Sequence, residues 1–252
     1  MLITDPLFYA AAIPALMITG ISKAGFGSGL GVIAVPLIAL TVPASQAAAI
    51  MLPILCVMDL AAVWAYRGQW SRANMKIILP GGFIGVVLGA LTFRYVSEAG
   101  LKLMLGVVAI GFLLQRWFSA ASRIEAAAPS PRKGTFWSVM SGYTSTLAHA
   151  GGPPLSIYLL PQQMSKAQMV GTTVIFFTII NWFKVVPYAL LGLFDGRNLA
   201  TSAGLAPLGL LGIYCGIWLR KSIPEVQFYR ICYGFLFVTG LKLLYDGAVK
   251  LW

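Results

Sequence analysis

Two glycine-rich segments hold most of the side chains with which this chain could do chemistry. The first runs from Lys23 to Gly31 and reads KAGFGSGLG; the second runs from Thr144 to Pro154 and reads TSTLAHAGGPP. Glycines and prolines prevent either segment from continuing as a regular helix. A helix that begins after such a break presents free N–H groups and the positive end of its dipole, which favours an anion.

Polar groups in and near the two breaks are of the kinds that hold a small oxyanion. His149 is the only histidine of the chain, and Ser28, Ser145, Thr146 and Thr173 supply hydroxyls. The candidate substrate-binding residues are Lys23, Gly27, Ser28, Gly29, Gly31, Ser145, Thr146, His149, Gly151, Gly152, Asn181 and Lys184. The alternative interpretation is that the glycines only allow membrane helices to pack closely. For Lys23 the alternative is an anchor at the membrane interface, and for His149 it is a structural role.

Lys184 lies in the middle of an apolar run, where a lysine costs roughly 2.5–3.5 kcal/mol on insertion scales. It shares a helix face with Asn181 and Tyr188. Two interpretations remain open: the side chain faces a polar cavity, or it extends to the membrane interface.

Asp59 is the only one of the seven carboxylates inside an apolar run. It falls opposite Asn181 when one half of the chain is aligned on the other. The sequence predicts either an ion pair with a lysine, a carrier for a coupling proton, or a buried structural residue.

The composition of the chain indicates what kind of structure must hold these residues in place. Of the 252 residues, 59% are hydrophobic and 10% are charged, whereas a soluble domain is about 25% charged. The net charge of +11 comes from basic residues at the ends of apolar runs, which indicates membrane topology and not nucleic-acid binding. Cys56, Cys215 and Cys232 have no paired spacing, so we expect no metal site, and we expect no cofactor.

Ten apolar segments are divided by a polar linker into two similar halves. We expect a single transmembrane domain over 1–252, with repeat one at 1–118, a cytoplasmic linker at 119–134 and repeat two at 135–252. The predicted runs are 7–22, 32–42, 44–66, 76–93 and 101–118, then 135–148, 155–160, 167–190, 199–219 and 231–245. The second run of each half is too short to span a bilayer.

The predicted fold is an all-α polytopic membrane protein with two inverted repeats. Each repeat has a glycine-broken helical hairpin followed by three transmembrane helices, and an odd number of crossings inverts the second repeat. Most basic residues collect on one predicted face: Arg67, Arg72, Lys76, Arg116, Arg123, Arg132, Lys133, Lys166, Arg220, Lys221 and Arg230. This face is expected to be cytoplasmic, which places both termini in the periplasm of a bacterial inner membrane.

The two breaks also carry a resemblance to a known family. The KAGFGSGLG segment, with the short run that ends at Pro43, and the AHAGGP segment from Ala148 to Pro153 resemble the glycine motifs of the sulfite exporter TauE/SafE family. This resemblance implies transport of sulfite, thiosulfate or small organosulfonates.

Matching breaks in two repeats favour a secondary transporter with alternating access around a midplane site. Its expected partners are the lipid bilayer, a small oxyanion or sulfonate, and protons as a candidate coupling ion carried by Asp59. A membrane-embedded enzyme is one alternative, with His149 and Asp59 as an acid–base pair. It would lack a second carboxylate and an activated nucleophile, so no residue is assigned a catalytic role. An anion channel is the other alternative, but the polar residues within the spans are sparse for a pore.

Overall fold

A computed structural model describes residues 2–23, 32–119, 127–219 and 225–250. These residues form α-helices and short 3-10 turns, with no β-strand among them. The helices are α1 (Pro6–Ile21), α2 (Ala34–Ile38), α3 (Ala44–Tyr66), α4 (Arg72–Phe93), α5 (Glu98–Ser119), α6 (Pro131–Ala148), α7 (Gly152–Leu159), α8 (Lys166–Leu190), α9 (Gly196–Leu219) and α10 (Glu225–Val249).

The predicted all-α membrane architecture is confirmed. Within the described ranges, five helices are long and apolar enough to cross a bilayer, and they are α3, α4, α5, α8 and α9. α1 is a shorter apolar helix. α7 has eight residues and rises only about 12 Å, so it cannot cross a hydrocarbon core of about 30 Å by itself.

Local structure repeats where the aligned halves match in sequence. α3 and α8 are each followed by a glycine with positive φ, Gly68 at 77° and Gly192 at 71°, a conformation that glycine adopts without strain. In each half, a side chain at the start of the next helix accepts a hydrogen bond from the backbone N–H of an asparagine. Ser71 Oγ accepts from Asn74 at 3.3 Å, and Asp195 Oδ1 accepts from Asn198 at 2.6 Å. These matches support the proposed repeat.

The two proposed repeats interleave in their packing. α1 packs on α9 and α6 packs on α4, while α3 contacts α9 and α8 contacts α4. If each helix is replaced by its counterpart in the other half, the α1–α9 pair becomes α6–α4 and the α3–α9 pair becomes α8–α4. The α3–α8 and α5–α10 pairs stay the same. The fourth helix of each half therefore packs on the first helix of the other half.

Small residues bring the interleaved helices into backbone contact. A Cβ added to Gly142 on α6 would lie 2.2 Å from the carbonyl oxygen of Gly82 on α4. A Cβ on Gly20 of α1 would lie 2.7 Å from the carbonyl carbon of Gly212 on α9. Close backbone approach of this kind is the usual way in which membrane helices associate tightly.

Candidate functional site

A cavity of about 60 Å³ lies where the end of α1, α3, the second break and α8 meet. Its described wall consists of Thr19, Lys23, Val32, Leu55, Ser145, His149, Gly152, Thr173, Val174, Phe177 and Asn181. A single water needs about 10–15 Å³ measured in this way, so the space corresponds to a few non-hydrogen atoms. It is the size of a small ion.

The structure places the predicted site residues in three groups. Five of them line the cavity: Lys23, Ser145, His149, Gly152 and Asn181. Thr146, Gly151 and Lys184 are buried close by but behind the wall. Gly27, Ser28, Gly29 and Gly31 lie outside the described residues.

The second break is stabilised by hydroxyl groups of α6. His149 ends this helix in the left-handed conformation, with φ at 52°. The carbonyl of Gly151 accepts from Ser141 Oγ at 2.7 Å, and the single O–H of Thr144 is shared between the carbonyls of Met140 at 2.8 Å and Ala150 at 3.1 Å. Irregular backbone inside a membrane protein requires such partners. The polar face of α6 is therefore explained partly by the break itself.

Fewer backbone donors are available at α7 than the helix-terminus argument predicts. Its first turn contains Pro153 and Pro154, which have no N–H. The N–H of Leu155 already bonds to the carbonyl of Gly151 at 3.3 Å. This leaves the N–H groups of Gly151 and Gly152 as the donors of this turn, and Gly152 lines the cavity. Side chains must supply most of the attraction for a ligand.

Lys184 is fully buried and does not extend to the membrane interface. Its Nζ lies 3.0 Å from the carbonyl oxygen of Ser145, 2.9 Å from Ser145 Oγ and 2.8 Å from His149 Nδ1. An ammonium group has three N–H donors, so these contacts account for all of them. Lys184 thus acts on the cavity through two residues of the wall, Ser145 and His149.

The hydrogen bonds of His149 indicate which ring nitrogen carries its proton. Nε2 lies 2.9 Å from the carbonyl oxygen of Ala48 on α3. A carbonyl can only accept, so Nε2 carries the hydrogen and Nδ1 faces Lys184. The imidazole is then neutral when Lys184 is charged.

Asp59 forms an ion pair with Lys23, which settles which lysine it contacts. Its second carboxylate oxygen accepts from Asn181 Nδ2 at 2.7 Å. Asp59 and Asn181 are the residues that the repeat alignment sets opposite each other, and their direct contact is what a pseudo-twofold axis between α3 and α8 would produce. The Asp59 side chain is fully buried, while 12% of the Lys23 side chain is exposed.

The family comparison agrees with this architecture. The family model for the sulfite exporter TauE/SafE matches residues 12–243, nearly the whole chain. The chain belongs to the TauE/SafE family. No curated protein and no solved structure gave a significant match. Family membership indicates a membrane exporter of sulfite or a related sulfur anion, and not an enzyme.

In this TauE/SafE protein the charges around the cavity do not cancel. Lys23 and Asp59 neutralise each other, and His149 is held in its neutral form. Lys184 contacts only neutral groups among the described residues. A buried cation without a carboxylate partner is unfavourable unless a negative charge approaches it or the group loses its proton. When Lys184 is protonated, the described groups of the site therefore carry a net positive charge.

Sequence reasoning did not find several cavity residues. Thr19 is a lone hydroxyl in an apolar helix and bonds to the carbonyl of Ala15 in its own helix at 2.7 Å. Leu55, Val174 and Phe177 form the apolar part of the wall and look like ordinary membrane residues in the sequence. Nothing in their pattern distinguishes them, because the crossing of α3 and α8 decides which apolar residues face the cavity.

Proposed function

We propose that this protein is a secondary transporter of small sulfur-containing anions, such as sulfite, thiosulfate or organosulfonates. The observation that carries the proposal is the buried Lys184, which contacts no carboxylate among the described residues, beside a cavity lined by Lys23 at the end of α1 and by the second break. Family membership supports the sulfur-anion class and favours export. We place the chain in the bacterial inner membrane with both termini in the periplasm, as the distribution of basic residues indicates.

Polar groups of the cavity wall suit an oxyanion. Lys23 has two N–H donors beyond the one that Asp59 accepts, and Ser145 has a hydroxyl hydrogen. Asn181 has a second amide hydrogen beyond the one that it gives to Asp59. Several N–H and O–H donors around a net positive charge are the usual means of holding an oxyanion. The small volume favours sulfite and thiosulfate over bulky organosulfonates.

Alternating access is the mechanism that the arrangement supports best. The cavity is small and lies between the end of α1, the second break and the crossing helices α3 and α8, as expected for the central site of a carrier. We propose that the moving bodies are mixed: α1, α2, α3 and α9 form one, and α4, α6, α7 and α8 form the other. The contact between Asp59 and Asn181 joins them at α3 and α8.

Flux into sealed liposomes tests the proposal. The purified protein is reconstituted, and uptake of ³⁵S-labelled sulfite, thiosulfate and a small sulfonate is measured under imposed pH and voltage gradients. We expect saturable flux of at least one sulfur anion that is absent from protein-free liposomes. No flux of any of these anions, in vesicles with confirmed insertion, would contradict the transport function.

A further inference from the structure

Lys184 occupies a hydrogen-bond arrangement that accepts its amine in both the charged and the neutral form. In the charged form, three hydrogens go to the carbonyl of Ser145, to Ser145 Oγ and to His149 Nδ1. In the neutral form, two hydrogens go to the carbonyl and to Nδ1, and the nitrogen lone pair accepts the Ser145 hydroxyl hydrogen. Neither form leaves a polar atom of this cluster without a partner. A proton can therefore bind and leave without disrupting the packing.

Ser145 connects this change to the cavity, because it bonds to Lys184 and also lines the cavity wall. When Lys184 is charged, Ser145 Oγ accepts from it, and the hydroxyl hydrogen is free to turn toward the cavity. When Lys184 is neutral, that hydrogen points to Lys184, and the oxygen lone pairs face the cavity instead. With Lys184 charged, an anion in the cavity therefore meets the Ser145 hydroxyl hydrogen beside a positive charge. With Lys184 neutral, it meets the lone pairs of Ser145 Oγ and no positive charge behind them.

The other titratable groups near Lys184 already have fixed partners or are packed in an apolar cluster. They are His149 at the end of α6, Cys56 and Asp59 on α3, Lys23 after α1, and Tyr188 on α8 itself. Tyr188 donates to the carbonyl of Thr146 at 2.6 Å, and Asp59 is held by Lys23 and Asn181. Cys56 is packed with Leu52 and Tyr188.

α4 and α7 also pack on α8, and their titratable groups lie elsewhere. α4 begins after Ser71, whose N–H bonds to Thr172 near the beginning of α8, and Tyr158 of α7 bonds to Asn74 of α4. Arg94, directly after α4, contacts the carbonyl of Leu190 at the far end of α8. Within the described cluster, the proton on Lys184 therefore sets the net charge of the cavity.

We propose that Lys184 carries the coupling proton and that Ser145 transmits its charge state to the anion. This inference rests on the proposed transport function, and it moves the coupling role from Asp59, the sequence-based candidate, to Lys184. The Lys184 amine takes a proton from water on one side of the membrane and returns it on the other. A proton travels with each anion in the same direction, so a monoanion moves without net charge.

The proposal fixes the sign of the pH dependence. The anion binds the charged form of Lys184, and rising pH removes that charge. The apparent Kd of the anion therefore increases with pH, by at most about tenfold per pH unit because a single proton is linked.

Proton uptake on anion binding tests the assignment directly. Isothermal titration calorimetry with thiosulfate and methanesulfonate, which do not titrate near neutral pH, is performed in two buffers with different ionisation enthalpies. The difference in heat gives the number of protons bound with the anion. Uptake is measured over a range of pH. At high pH, where Lys184 of the free protein is neutral, we expect it to approach a full proton for the wild type and for the matched control Lys242→Met, which alters an exposed lysine of α10. Lys184→Met should show no proton uptake.

The outcomes separate this inference from the transport function. Anion binding by the wild type without proton uptake at any pH overturns the coupling role and leaves transport intact, and so does unchanged proton uptake in Lys184→Met. The number of protons that the wild type takes up tests the coupling role even if Lys184→Met does not fold. If neither anion binds and no sulfur anion crosses liposomes, the transport function itself fails.

Ser145 is tested by the pH dependence of anion affinity. We expect Ser145→Ala to weaken binding at low pH by about tenfold, as for a lost hydrogen bond to a charged group, and to flatten the rise of Kd with pH. Ser145→Thr keeps a hydroxyl and should restore the pH dependence. Ser138→Ala is the matched control, since this buried serine of the same helix bonds to the carbonyl of Thr135. A full pH dependence in Ser145→Ala would show that the hydroxyl transmits nothing.

Discussion

The ion pair between Lys23 and Asp59 ties the end of α1 to α3, and a double-mutant cycle measures its strength. The variants are Lys23→Met, Asp59→Asn and the combination of both, each followed by reversible unfolding in mixed detergent. Asparagine keeps the shape of Asp59 and retains an oxygen that can accept from Asn181. The cycle isolates the interaction between the two charges from the separate costs of each substitution.

The expected coupling energy follows from the burial of the pair. Two unit charges about 4 Å apart attract by about 4 kcal/mol at an effective dielectric of 20. The 12% exposure of the Lys23 side chain lets solvent screen part of this attraction. We expect a coupling energy of about 1–3 kcal/mol. The exposed Lys242–Asp246 pair of α10, with 55% and 22% side-chain exposure, should give about 0.3–0.5 kcal/mol and serves as the control.

A coupling energy for Lys23–Asp59 no larger than that for Lys242–Asp246 would refute this reasoning. The same variants provide a functional measurement. If Lys184 carries the coupling proton, Asp59→Asn should still take up a proton when thiosulfate binds. Loss of that uptake in a folded Asp59→Asn protein would instead assign the proton to Asp59.

Three further predictions concern packing, capping and the second break. Gly142→Ala should destabilise the protein by several kcal/mol in detergent unfolding, because the added Cβ would lie 2.2 Å from the Gly82 carbonyl oxygen. Gly111→Ala is the control, since a Cβ there has open space and should not destabilise the protein. Equal stabilities of the two variants would contradict the close packing of α4 on α6. Glu98→Ala should lower the free energy of unfolding by about 0.5–2 kcal/mol in the same assay, because this carboxylate caps the start of α3 and accepts from the Ala44 N–H at 2.8 Å. An unchanged unfolding midpoint would show that the cap contributes no stability. His149→Asn tolerates the left-handed backbone but removes the ring that positions Lys184, so thiosulfate affinity should fall at preserved stability; unchanged affinity would limit His149 to a backbone role.

Hydropathy alone located the helices. The run predicted from Ala44 to Tyr66 coincides with α3, and the short runs after each break correspond to α2 and α7. This success has a physical reason: in lipid, a helix that spans the membrane must be apolar, so an apolar run marks where it crosses. The helix ends were less well predicted, since the last run was 231–245 and α10 is Glu225–Val249. The polar linker and the two breaks were visible for the same reason.

The contacts within the site were beyond what the sequence could provide. Asn181 and Lys184 share a face of α8, yet Asn181 bonds to Asp59 on α3 and Lys184 bonds to Ser145 on α6. Sequence spacing fixes which residues share a helix face, whereas the crossing angles of neighbouring helices decide what each residue contacts. The lysine partner of Asp59 stayed open in the sequence for that reason.

Counterflow is the most direct test of a carrier for small sulfur anions. Liposomes containing the wild-type protein are preloaded with unlabelled sulfite or thiosulfate, and entry of a trace of the same ³⁵S-labelled anion is followed without any imposed gradient of pH or voltage. An alternating-access carrier predicts that preloading produces a transient accumulation of label above the outside concentration. Entry of label that never exceeds equilibration, with or without preloading, would contradict a carrier mechanism.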